Sequence, residues 1–189
     1  DDDLVLYLSK KLVRREFRPL TREELAPELF RCFDRFQIVE KCWRKVEGQW
    51  VVKDVVFTER WGEEDYRFLC QCLQNTVATG GQVWGAFLEG RLKGFASVEG
   101  PLIGSQKQYA DLTSIHVSAD ARGHGLGRQL FQRAEETGRR LGAKALYISA
   151  HSSVESQAFY KAMGCVEATE YIPAHVEQEP CDCQLECPL

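Results

Sequence analysis

No run of apolar residues in this 189-residue chain approaches the roughly 20 that a helical membrane span needs. An excess of positive charge is missing too. The 24 Lys and Arg stand against 28 Asp and Glu, a net charge of −4, which argues against nucleic acid as the partner. The same balance mildly favours a cationic acceptor such as an amine. Three aspartates open the chain where a secretory signal would place a basic and then an apolar segment, so a cytoplasmic location is the expectation. The eight cysteines contain no C-x-x-C knuckle. Cys70 and Cys72 sit two apart on a helical pattern and point to different sides, and Cys181, Cys183 and Cys187 share one parity on a strand pattern. Reduced thiols acting as small apolar side chains are the reading, and no metal site is expected. Internal repeats, low-complexity tracts and linkers are absent as well. What remains is one domain of ordinary apolar and charged content, large enough to bury a core.

The most informative stretch is Asp111 to Leu130, DLTSIHVSADARGHGLGRQL. Leu112, Ile115 and Val117 with the β-branched Thr113 read as a strand. Three glycines follow within Arg122-Gly123-His124-Gly125-Leu126-Gly127, and an amphipathic helix begins there. A strand, a glycine turn and a helix start make an anion site. The first helical N–H groups have no internal acceptor, the macrodipole adds partial positive charge, and glycine lets the backbone approach a phosphate. The spacing fits neither of two familiar phosphate motifs. G-x-G-x-x-G fails because its third position would be Arg128 or Leu130, and no Gly-Lys-Ser/Thr follows to make a P-loop.

Taken in order, Leu12 to Pro19 reads as a strand, and Thr21 with Glu24 forms a capping box that opens a helix with Leu25, Leu29, Phe30 and Phe33 on its apolar face. Phe36, Val39, Trp43 and Val46 keep helical spacing, so a second short helix is expected there. A strand about Trp50 to Phe57 precedes a helix that Glu63, Glu64 and Asp65 start and Gly80-Gly81 ends. Val83–Leu88 and Leu92–Val98 flank Glu89-Gly90 as a hairpin. The helix after the glycines buries Leu126, Leu130, Phe131, Ala134 and Leu141. Ala145–Ser149 is a short buried strand, Ser152 or Ser153 caps the next helix, and Cys165–Tyr171 and Cys181–Leu185 read as closing strands. The fold class is therefore α/β (or α+β): a mixed sheet with helices on its faces.

Two motifs then coincide. Arg122-x-x-Gly125-x-Gly127 resembles the acetyl-CoA pyrophosphate motif, Arg/Gln-x-x-Gly-x-Gly/Ala, of the GNAT superfamily of acetyltransferases. Ser153 to Cys165, SVESQAFYKAMGC, resembles the superfamily's second signature, Asn-x-x-Ala-x-x-Phe-Tyr-x-x-x-Gly-Phe, with Ser153, Ser156 and Cys165 in place of the usual Asn, Ala and Phe. They stand in the family's order, one helix and one strand apart. The resemblance implies one GNAT domain over 1–189, with a mixed, mostly antiparallel sheet flanked by helices. Residues 12–81 would form its acceptor side and 82–189 its acetyl-CoA-binding core.

It further implies an acetyl-CoA-dependent N-acetyltransferase, with acetyl-CoA as co-substrate and a small-molecule or peptide amine as acceptor. Nucleic acid and membranes are not expected partners, and a homodimer is left open. Ile115, His116 and Val117 would hold the pantetheine arm and the thioester along a strand splayed from its neighbour. Arg122, Gly123, His124, Gly125, Leu126, Gly127 and Arg128 would hold the pyrophosphate, with Ser153, Ser156 and Tyr160 near the sulfur. Tyr160 would be the general acid, because a phenol with a pKa of about 10 stays protonated at neutral pH and can donate to a departing thiolate. Asp111, His116 and Glu99 are candidates for the base, with a water chain as an alternative to all three. Of Phe36, Trp43, Trp50 and Trp61, some would line an acceptor pocket, and the others would be packing. A GNAT-fold module that binds acyl-CoA without turnover, as a sensor or an interaction domain, is the alternative; an intact Tyr160 and a complete glycine motif favour the enzyme.

Overall fold

A helix opens the computed structural model, which describes residues 2–189: α1 (Asp2–Leu12), acidic in its first turn. Then come β1 (Arg15–Pro19), β2 (Phe36–Val46), β3 (Gln49–Arg60), α2 (Glu63–Ala78), β4 (Gln82–Leu88), β5 (Arg91–Val98) and β6 (Tyr109–Val117). α3 (Leu126–Arg140), β7 (Ala145–Ala150), α4 (Val154–Ala162), β8 (Val166–Glu167), α5 (Pro173–Gln178) and β9 (Cys183–Pro188) complete the chain. Seven strands form one sheet in the order β1-β4-β5-β6-β7-β9-β8, and β2 with β3 forms a separate two-stranded sheet. Every neighbouring pair is antiparallel except β6 and β7, which run parallel.

Each face of the large sheet buries its own apolar layer. On one, Leu126, Leu130, Phe131 and Ala134 of α3 pack with Ala96, Val98, Leu112, Leu146 and Ile148. On the other, Leu25, Phe30, Phe33 and Leu73 pack with Val83, Phe87, Leu92 and Phe95. Each such Leu or Phe stabilises the fold by roughly 1.5–3 kcal/mol when removed from water. Two-residue turns with positive φ at both positions close the hairpins: Glu47-Gly48 between β2 and β3, and Glu89-Gly90 between β4 and β5.

Four expectations need correction. The segment from Phe36 to Val46 is a strand, because the Glu47-Gly48 turn lets it pair with β3 along its length. Its apolar residues, three or four apart, mimic a helix face. No helix follows Thr21. The reciprocal bonds of the capping box form, Thr21 N–H to Glu24 Oε1 at 2.6 Å and Glu24 N–H to Thr21 Oγ1 at 3.4 Å, but Pro27 lies three residues on and only a 3₁₀ turn, Pro27–Phe30, results. The first strand begins at Arg15, since Leu12 belongs to α1. Near the C-terminus the expected strand from Cys165 shrinks to Val166–Glu167, the excursion carries α5, and the last strand runs from Cys183 to Pro188.

Candidate active site

The parallel pair β6–β7 is short. It registers Tyr109 with Ala145, Ala110 with Leu146 and Asp111 with Tyr147, and there it ends, although β6 continues to Val117 and β7 to Ala150. Beyond Asp111 the two strands diverge, and β6 keeps a partner on its β5 side alone. A bulge at Thr113, between the pairs Val98–Leu112 and Ser97–Ser114, marks the point of divergence. The wedge so opened has Ile115, His116 and Val117 on one wall and the start of α4 on the other.

The glycine loop stands at the end of the β6 wall. Gly123 and Gly125 have φ of 83° and 76°, values a side chain disfavours, and Gly125 is the N-cap of α3. No side chain caps this helix and no acid occupies its first turn, so its leading N–H groups are free for an anion. A Cβ on Gly125 would meet nothing within 4 Å, which leaves the approach open; at Gly127 it would lie 3.2 Å from the Phe159 ring, so that glycine serves helix packing. Leu126 is buried in the core and Arg128 is exposed. Arg122 donates to the carbonyl of Phe36 and ties the loop to β2. His124 accepts from Arg15 at its carbonyl and keeps a buried Nδ1 that no group satisfies.

On the opposite wall Ser153 caps α4. Its Oγ accepts the Ser156 N–H at 3.2 Å and donates to Ser156 Oγ at 2.9 Å. β2 is fastened to this corner, since the Trp43 N–H donates to the Ser152 carbonyl at 2.8 Å and Cys42 bridges Ser153. Tyr160, 9% exposed, lies in the core cluster beneath α4. Burial, with Cys165 and Asp182 nearby, raises its pKa above the ordinary phenol value, and Arg35 opposes that shift.

A string of polar side chains, most of which sequence reasoning missed, crosses the wedge. Arg35, 9% exposed, donates from Nε to His116 Nδ1 at 3.2 Å and from Nη2 to Gln37 Oε1 at 3.2 Å, with Glu59 Oε2 at 3.4 Å. Gln37 reaches Ser153 Oγ at 3.5 Å. Glu59 Oε1 lies 3.3 Å from His151 Nε2, while His151 Nδ1 accepts the Ser153 N–H at 3.0 Å. Trp61 edges onto His116 at 4.9 Å and Phe57 faces His151 at 5.8 Å, so the end of β3 spans the two diverging strands. Burial, then the charges of Arg35 and His151, push His116 down to about 3, so its ring is neutral with Nδ1 engaged. Of the four aromatics singled out in the sequence, Trp61 alone stands against His116. Trp43 packs on the core, Trp50 lies under Lys45 and Phe36 under Arg60.

Asp111, at the apex, is buried. Its Oδ2 meets His175 Nε2 at 2.8 Å and its Oδ1 has no partner. His175 stacks on Tyr147, and the bond to Asp111 raises its pKa against the effect of burial. Glu99 is spent elsewhere, accepting from Thr76 at 2.7 Å and Thr113 at 2.9 Å. His175 and Glu59 carry no motif in the sequence. Only the register of β6 and the hairpin's path bring them here.

A sheet that opens beside a glycine-capped helix defines an acyltransferase-like architecture, and the comparisons agree. The acetyltransferase (GNAT) family model matches residues 36–165, and the chain belongs to that family. No curated protein matches the sequence. Among solved structures, nourseothricin acetyltransferase is similar at 17% identity and a TM-score of 0.66, over 92% of this chain and 98% of that one. A GNAT-family acetyltransferase of Staphylococcus aureus Mu50 follows at 15% and 0.61, over 93% and 99%. The PaiA N-acetyltransferase of Thermoplasma acidophilum, solved with coenzyme A, is similar at 17% and 0.57, over 93% and 99%. Identities of this size carry the fold and leave the acceptor open.

Proposed function

We propose that this chain is an acetyl-CoA-dependent N-acetyltransferase that transfers the acetyl group directly to an amine of a small molecule or peptide. The observation that carries this reading is the three-residue β6–β7 pairing, which opens a wedge between Ile115–Val117 and the start of α4 with an uncapped helix N-terminus at its mouth. The residues present fit the co-substrate. Gly123 to Arg128 supply open backbone N–H groups for the pyrophosphate, with the unpartnered His124 Nδ1 beside them. Ile115 to Val117 supply a strand edge for pantetheine, and Ser153 and Ser156 border the thioester end. Acetyl-CoA brings an acyl thioester, an electrophile that a neutral amine attacks.

Two residues of the chain manage the protons. Asp111 offers a buried carboxylate oxygen with no other partner and takes the proton from the acceptor nitrogen. His116, the other candidate, accepts the Arg35 N–H and is held far below the imidazole range, so it is the poorer base. Tyr160 stays protonated at any working pH and gives its proton to the leaving thiolate. The test is coenzyme A release across a panel of amines, with the acetylated product identified by mass. Amine-dependent release with a product 42 Da heavier is expected. Tight acetyl-CoA binding with no turnover on any amine would leave a binding module in its place.

A further inference from the structure

Arg35 is a charged side chain nine-tenths withdrawn from water, and its hydrogen bonds are incomplete. Nε is committed to His116, and Nη2 to Gln37 and Glu59. Nη1 has no acceptor among the described residues. Among the described residues the fully buried polar side-chain atoms without a partner are Asp111 Oδ1 and His124 Nδ1, so Arg35 Nη1 opens to solvent and can offer its N–H pair to an arriving oxygen. The group is also held in place. Its carbon lies 5.4 Å from the centre of the Trp61 ring, its own carbonyl accepts the Trp61 N–H at 3.1 Å, and its N–H donates to Tyr66 Oη at 3.2 Å.

Position narrows the choice of oxygen. Through Gln37, the Arg35 string runs from His116 on β6 to Ser153 at the start of α4, across the wedge assigned above to the thioester. Arg35 also lies near enough to Tyr160 for its charge to act on that hydroxyl. A carboxylate on the acceptor would ask for two parallel N–H groups, and Nε and Nη2 are already spent. A single carbonyl oxygen gaining charge suits one free amino group.

We propose that Arg35 is a catalytic residue that polarises the thioester carbonyl and stabilises the oxyanion formed from it. This rests on the acetyltransferase reading. As the nitrogen lone pair forms the C–N bond, the carbonyl π pair moves to oxygen, where Arg35 Nη1 meets it. The pair returns as the C–S bond breaks, the thiolate takes the Tyr160 proton, and Asp111 takes the proton from nitrogen. Solvent returns that proton to Tyr160. Fixed donors aimed at developing charge in a dry site are worth more than the same donors in water.

The test pairs kinetics with infrared spectroscopy of bound [1-13C]acetyl-CoA in the wild type, Arg35→Met and Arg35→Lys. In the wild type the carbonyl stretch should fall below its value in water. Arg35→Met should lose that extra shift and about 10²- to 10³-fold in kcat, with acetyl-CoA affinity within about threefold. Arg35→Lys keeps charge without the planar fork, should fall between the two, and carries the test should the methionine variant not fold. A stretch unchanged in a folded variant overturns the proposal. So does a rise in amine KM with kcat and the stretch unaltered, which would make Arg35 an acceptor-binding residue. Failure of the wild type to bind acetyl-CoA at all would instead sink the acetyltransferase reading, and this inference with it.

Discussion

Tyr160 and Gly125 are the residues whose chemistry is plainest. Tyr160→Phe keeps the ring in its core cluster and removes only the hydroxyl. No hydrogen bond contributes to the shift of that group, so fold and acetyl-CoA affinity should survive. If the hydroxyl protonates the thiolate, kcat and kcat/KM should fall together by about 10²- to 10⁴-fold. Steady-state kinetics beside a melting curve measure this, and a loss of kcat under threefold would return Tyr160 to packing alone. Both positions were singled out in the sequence, through the resemblance of the two motifs that carry them. Arg35, Glu59 and His175 were not. Each is a polar residue without local pattern, brought to the site by long-range pairing: Arg35 to His116 across 81 positions and His175 to Asp111 across 64.

At the scale of elements, side chains of the β2–β3 hairpin and its flanks cross the wedge, and α5 meets its apex at Asp111. β2 was misread as a helix because its apolar residues fall three and four apart, and only the Glu47-Gly48 turn, which matches the Glu89-Gly90 signal in type, betrays the hairpin. The strands β4, β5, β6 and β7 and the helices α2, α3 and α4 were legible because burial of one face imposes a clear period. α5 was not legible, as six residues show no period at all. Its hold on the sheet through His175 makes a prediction. The partner raises the folded pKa of His175, so the stabilisation is fully present below the ordinary imidazole value of about 6.5 and is lost as pH rises through the folded value. Asp182 and Asp111 both face the ring and act in the same direction. Amide exchange in α5, corrected for intrinsic rates, should lose protection as pH rises above that point, and His175→Gln should abolish the dependence. Protection in α5 that stays constant with pH in the wild type would contradict the pairing.

For the whole molecule, the sheet divides the labour. α3 and α4 pack with one face, and α2 with the segment from Leu20 to Phe33 covers the other, while α5 meets the apex at Asp111. The division expected at residues 81 and 82 coincides with the start of β4, yet β1 joins the large sheet and β2 is fastened to α4. Residues 12–81 are thus interleaved with 82–189, as a one-letter sequence could not disclose. The central claim is that the wedge and the glycine loop together hold acetyl-CoA. It is tested most directly by amide hydrogen exchange with and without acetyl-CoA, in the wild type and in Gly125→Val, where a β-branched side chain would stand in the open approach at positive φ. Protection should rise in the wild type at Ile115–Val117 and Gly123–Arg128 and be largely lost in the folded variant. Protection confined to other elements, or unchanged by the substitution, would contradict the placement.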